Sequence, residues 1–169
     1  MTQTSRDFET RLTDYPFNPQ GIPEELRERP QWVVWKFVER DEKRTKVPYV
    51  PQSFEPASST DLTTWATFEE AMTALKVGHF DGIGFVFCSA DPFVGLDFDD
   101  CRDPESGEVD EEVLEFVRSF KSSYVEASVS GTGIHLITTG RCREGKKVGK
   151  RELYGQDRFF CMTGVELDV

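Results

Sequence analysis

The 169-residue sequence has no apolar run approaching the about 20 residues that a membrane-spanning helix requires. Its opening, MTQTSRDFETRLTDYPF, lacks a basic segment followed by an apolar block, so no secretory leader is legible and the chain reads as cytoplasmic, with no membrane partner. The four cysteines, Cys88, Cys101, Cys142 and Cys161, form no C-x-x-C pair. That removes the usual spacing of a zinc module and reads as reduced, partly buried thiols. The small-residue stretch Ser130-Gly131-Thr132-Gly133 matches neither the Gly-x4-Gly-Lys phosphate loop nor the dinucleotide fingerprint. Basic residues are scarce, 20 against 31 acidic ones, for a net charge of −11. Such a chain does not coat nucleic acid through global charge, but it can bind it through a local basic patch. The acid surplus itself reads as solubility or as adaptation to a salt-rich cytoplasm. Arg outnumbers Lys 12 to 8 in favour of the latter, and Glu outnumbers Asp 18 to 13 against it.

Core material is plentiful, with 37% hydrophobic residues that include 14 Phe. One compact domain follows, not two large ones. Residues 1–22 are polar and broken by Pro16, Pro19 and Gly21, as in an arm or entry segment, and 22–29 predicts a short helix. WVVWKFV (32–38) reads as a strand with Val33, Trp35 and Phe37 on one face. The run 39–44 reads as a charged turn, and 45–50 as an edge strand because Pro48 cannot donate to an interior ladder. Thr67-Phe68-Glu69-Glu70 is a capping box opening a helix over 68–77. Strands follow at 82–88 and 92–100, and a helix starts at Asp110 with Val113, Val117 and Phe120 inward. Further strands are predicted at 123–129, 133–139 and 157–164, with a basic loop at 141–151. Strands interleaved with two helices give an α/β or α+β domain.

Four features carry chemistry. In a strand, Asp97 and Asp99 share a face about 7 Å apart, and two carboxylates at the mouth of a core strand call for a cation. A hard divalent ion, Mg²⁺ or Mn²⁺, meets that need; the competing reading is a solvated strand end. Ser130-Gly131-Thr132-Gly133 is a small-residue loop whose backbone N–H groups can approach an anion, and His135 follows it by one strand step. An ordinary packed histidine is the plainer alternative. In the segment 151–160, Glu152 can add a third carboxylate, Arg158 can neutralise phosphate, and Phe159 or Phe160 offers a flat surface for a base or sugar. Finally, Arg141, Arg143, Lys146, Lys147, Lys150 and Arg151 place six cations within eleven residues, with Lys46 able to join them. They read as a contact to a phosphate backbone or as a solvated loop.

The order strand–D-x-D, S-G-x-G-x-H, then a carboxylate ahead of R-F-F resembles the archaeo-eukaryotic primase superfamily, and within it the phage- and plasmid-type bifunctional primase-polymerase N-terminal domain. WVVWKF with TKVPY, ASSTDLTTW, DGIGFVF, VGLDFDDC, SGTGIHL and ELYGQDRFFCMTG carry the likeness over residues 30–165. The resemblance implies an α+β fold, a primase-like core with an RRM-like mixed or antiparallel sheet flanked by helices. It divides the chain into an arm and short helix (1–30), a catalytic domain (31–165), and a tail or the start of a further C-terminal region (166–169).

The resemblance also implies roles. Asp97, Asp99 and Glu152 would hold two Mg²⁺ or Mn²⁺ ions. Ser130 and His135, with the loop residues Gly131, Thr132 and Gly133, would contact an incoming triphosphate. Arg158 would lie beside the phosphates and Phe159 beside the sugar or base, and Lys46, Lys146, Lys147 and Lys150 would meet nucleic acid. The implied activity is template-directed nucleotidyl transfer by a DNA primase or polymerase. Its partners would be a single-stranded DNA template, NTPs or dNTPs, and a helicase or C-terminal helical domain. Two alternatives use the same residues: a non-catalytic nucleotide- or single-strand-binding module of a replication protein, and a metal-dependent nuclease.

Overall fold

Trp32–Arg40 (β1) and Lys43–Tyr49 (β2) form a hairpin whose turn is only Asp41 and Glu42, at φ 50° and 61°. Two left-handed turn residues match the twist of the paired strands, so the charged run continues both strands where a longer turn was expected. The computed structural model describes residues 12–169. β1 is buried over Trp32, Val33, Val34 and Trp35, and β2 and Gly82–Phe87 (β3) pair with its two edges. Arg158–Met162 (β9) completes a four-stranded antiparallel sheet in the order β2-β1-β3-β9. Pro48 thus lies on an edge strand, as its missing N–H demands.

Glu24–Arg27 (α1) and Phe68–Val77 (α2) pack beside this sheet. Thr67 and Glu70 make the reciprocal capping box that the sequence predicts, and Gly78 ends α2 at φ 90°. Phe68, Ala71, Met72, Ala74 and Leu75 turn inward, and the Trp32 ring meets Phe68 and Phe85 edge to face.

The second antiparallel sheet has the order β5-β6-β4-β8-β7. Its strands are Phe93–Phe98 (β4), Tyr124–Ala127 (β5), Ile134–Thr139 (β6), Lys146–Val148 (β7) and Arg151–Tyr154 (β8). The class is α+β, with the antiparallel strands divided between two sheets. The helix Glu111–Arg118 (α3) covers one face of the second sheet, where Val113 and Val117 meet Phe98, Val125, Ile134 and Leu136. The opposite face turns toward the first sheet, and Phe87, Phe93, Tyr124, Ile137 and Phe160 join one core between them.

Gly95 sets how closely the sheets approach. A Cβ there would stand 2.5 Å from the Phe160 ring and 2.6 Å from that of Phe87, so only glycine admits both aromatics.

The segments at the two ends of the described residues are also packed. Tyr15 stacks on Trp35 with centroids 6.0 Å apart, and the Asn18 N–H donates to the Thr163 carbonyl at 2.8 Å. Val165 and Leu167 exchange backbone bonds with Ala127 and Val125. Residues 1–11 of the expected arm lie outside the described residues. Among the described residues no helix is long and apolar enough to cross a membrane.

One expectation needs correction. The basic run 141–151 is not a loop throughout: β7 and β8 make a hairpin from it, turning at Gly149 (φ 60°) and Lys150. The edge of a sheet tolerates a charged, solvent-facing strand, and its polar composition hides it from an apolar-pattern reading.

Candidate active site

Register builds the site. Lys147 lies opposite Glu152, Glu152 opposite Asp97, Asp97 opposite His135, and His135 opposite Glu126. Cross-strand partners put their side chains on the same face. One row across β7-β8-β4-β6-β5 therefore carries five ionisable side chains on the face that looks toward the first sheet. Side-chain exposure is 64% at Lys147, 17% at Glu152 and 27% at Asp97, and drops to 8% at His135 and 0% at Glu126.

At the buried end, His135 Nδ1 stands 3.0 Å from Glu126 Oε1, and Nε2 stands 3.8 Å from Asp97 Oδ1. Phe160 stacks on the imidazole with centroids 4.6 Å apart. Glu126 also accepts from the Tyr124 hydroxyl at 2.7 Å and the Gly164 N–H at 2.8 Å, while the Thr163 N–H reaches both carboxylate oxygens. Its charge and its partner hydroxyl act on each other. Burial, then the nearby Glu126 carboxylate, pushes the Tyr124 phenol far above its usual range.

At the open end, Glu152 is engaged by the Lys147 ammonium and the Tyr154 hydroxyl, which together hold its carboxyl below the usual range. Between the two ends, Asp97 is pushed above the usual aspartate range. Burial is the main cause; His135 pulls against it, and Asp99 and Glu152 add to it.

The row opens on a cleft of about 650 Å³ lined by Asp97, Glu152, Tyr154, Arg158, Phe159 and Phe160 on the side of β4, β8 and β9. Pro48, Ala57, Ser58 and Ser59 complete it, and the Ser59 hydroxyl donates to the Asp157 carbonyl at 3.0 Å, tying that strap to the start of β9. The Arg158 guanidinium lies 5.1 Å over the Tyr154 ring.

Other predicted residues stand outside the cleft lining. β4 ends at Phe98, so Asp99 lies just past the strand, exposed, with its N–H donating to the Lys150 carbonyl at 2.9 Å. The Ser130–Gly133 loop packs on the segment after the acids. The Thr132 carbonyl accepts from the Cys101 and Arg102 N–H groups, and Gly133 sits so close to Phe98 that a Cβ would meet its carbonyl at 2.4 Å. The Ser130 hydroxyl pairs with Ser128 and Thr132. Among the cations, Lys150 meets Asp100 at 3.1 Å and Arg151 meets Glu112 at 2.7 Å, while Lys46 lies 5.8 Å over the Trp35 ring. Among the described residues Arg141, Arg143 and Lys146 have no ion-pair partner within 4.0 Å.

Sequence reasoning missed Glu126, Tyr154, Ser58 and Ser59. Glu126 left one signal, an acid at an inward position of an otherwise buried strand, Tyr124–Ala127.

The donor set fits a hard divalent ion by type, since all its members are carboxylate oxygens. By rotamer it is not assembled: among the described residues no three His, Cys, Asp or Glu side chains stand close enough to hold one ion. The Glu152 side chain is committed to Lys147 and Tyr154.

No family model matches the chain. The chain is 34% identical over 145 residues to a protein of the Nitratiruptor phage NrS-1 named DNA primase-polymerase, an alignment covering 82% of this chain. It spans about 20% of that relative's length. At that identity and coverage of its own length, and with Asp97, Glu152 and the R-F-F strand lining one cleft, this chain belongs to the phage-type primase-polymerases.

Proposed function

We propose that this chain carries the nucleotidyl-transfer unit of a template-directed DNA primase or DNA polymerase. The observation that carries the reading is the row Glu152–Asp97–His135, set by strand register and opening on a cleft that also holds Arg158 and Phe159. A relative that bears the primase-polymerase name over four-fifths of the chain supports it.

In this reading Asp97, Asp99 and Glu152 hold two divalent ions, Mg²⁺ or Mn²⁺. When bound, such ions acidify an attacking 3′-hydroxyl and stabilise a leaving pyrophosphate. His135, whose Nε2 faces Asp97, meets a triphosphate oxygen beside that acid. Arg158 adds a planar fork of donors for the same charge. Phe159 gives the sugar and base an apolar face without a hydroxyl. The Ser130–Gly133 loop, clamped beside Asp99, offers its backbone to the triphosphate. Lys46, Lys146, Lys147 and Lys150, with Arg141 and Arg143, take the single-stranded DNA template. A helicase or a helical C-terminal domain is the further partner carried over from the family likeness.

One observation favours a second reading, a nucleotide-binding module without turnover: Glu152 is engaged by Lys147 and Tyr154. A single assay separates the two. Incubated with single-stranded template, Mn²⁺ and labelled NTPs or dNTPs, with and without primer, the chain is expected to extend or begin strands and release pyrophosphate. Asp97→Ala and Asp99→Ala are expected to lose on the order of 10³-fold in rate, the scale of removing a preorganised electrostatic group. Nucleotide binding without incorporation selects the binding module, and shortened template selects a nuclease.

A further inference from the structure

We propose that Glu126 is a positioning residue that fixes the imidazole proton of His135 on Nδ1, so that Nε2 is the nitrogen presented to Asp97 and the cleft. Glu126 is wholly buried, and the Tyr124 hydroxyl and the N–H groups of Thr163 and Gly164 converge on it at 2.7 to 3.2 Å. Backbone N–H groups cannot exchange roles, so the Glu126 oxygens accept from them. The remaining contact, Oε1 to His135 Nδ1 at 3.0 Å, is then satisfied by a proton on Nδ1.

The ring has little freedom to choose otherwise. Phe160 stacks on it nearly parallel, at 24°, and Asp97 lies beyond Nε2. A flip would turn a ring carbon toward Glu126 and leave a buried carboxylate short of a donor. A histidine free in water favours the opposite neutral tautomer, so the carboxylate selects a form the isolated side chain does not prefer. This is the logic by which a buried acid orients a working histidine.

What Nε2 does in the cleft rests on the functional reading above, whereas the tautomer is a property of the chain without any nucleotide. The test exploits composition. The chain has two histidines, and His79 is exposed, so His79→Asn leaves one imidazole to observe. Long-range ¹H–¹⁵N spectra of the ¹⁵N-labelled chain are expected to find the neutral ring protonated on Nδ1 and bare at Nε2. A neutral ring with its proton on Nε2 and a bare Nδ1 overturns the proposal.

Glu126→Gln sharpens the test. The three fixed donors orient the amide with its oxygen toward them and its NH₂ toward Nδ1, so the neutral ring is expected to move its proton to Nε2. Nucleotide incorporation is expected to fall about 10²-fold, the scale of removing an outer partner that fixes the tautomer and orientation of a site residue. An unchanged tautomer in a folded Glu126→Gln variant also overturns the proposal. Should that variant fail to fold, the spectrum of the His79→Asn chain decides alone. Absence of incorporation by a chain whose His135 carries Nδ1–H defeats the functional reading and leaves the positioning role standing.

Discussion

The two ends of the ionisable row hold their charges by different means. Glu126 is fixed by backbone N–H groups, a phenol and a stacked histidine, all out of water. Glu152 is held by the long, largely exposed side chain of Lys147 and by the hydroxyl of Tyr154. The first arrangement cannot relax without breaking the sheet, because its donors belong to the chain leaving β9. The second can exchange partners at little cost, because solvent and salt compete for an exposed ammonium. A rigid inner end beside an adjustable outer end is what a site needs when the histidine must be aimed in advance and the outer carboxylate must change partners as ligands arrive.

The largest expected break in this comparison is at the inner end. Glu126→Ala strands several buried donors at once and is expected to cost about 3–5 kcal/mol, seen as a lower denaturation midpoint with an unchanged slope. A loss below about 1 kcal/mol defeats the claim that this end is rigidly satisfied.

The middle of the row responds to pH. Because the fold raises the proton affinity of Asp97, its contribution is favourable at acid pH and is lost as pH rises through the raised value. With divalent ions chelated, Asp97→Asn is therefore expected to melt above the parent chain near neutrality and to converge with it in acid. Parallel melting curves at all pH values contradict the assignment of a raised Asp97 carboxyl, set mainly by its burial.

The smallest effect belongs to the outer end. Lys147→Met is expected to leave the melting temperature nearly unchanged while the Glu152 carboxyl titrates upward toward its ordinary range, read by ¹³C carboxyl NMR. A Glu152 titration that stays put assigns its hold to Tyr154 alone.

Local pattern was legible wherever one residue type carried the signal. The Thr67 box and its 68–77 helix match observation, as does the edge placement of Pro48. Patterns diluted by charge were not legible. The turn at Asp41-Glu42 is shorter than the charged run around it, and β7 and β8 arise from a stretch with almost no apolar alternation. In both, backbone pairing with a neighbouring strand overrides composition. Among the site residues, Asp97, Glu152, Arg158 and Phe159 do share a cleft, but Glu126 carried no motif and stood out only as an acid in a buried strand.

By itself the sequence determined the apolar-patterned strands and the capped helix, and which acids, histidine and arginine are available, because period, caps and side-chain chemistry are local properties. Only the tertiary structure decided that Glu152, Asp97, His135 and Glu126 stand in one row, since register between strands up to 55 residues apart is set by packing such as Phe160 against Gly95. It alone also decided which carboxylate is wholly buried and donor-saturated and which is shared with a surface lysine. Burial and hydrogen bonding depend on neighbours that the linear chain does not name.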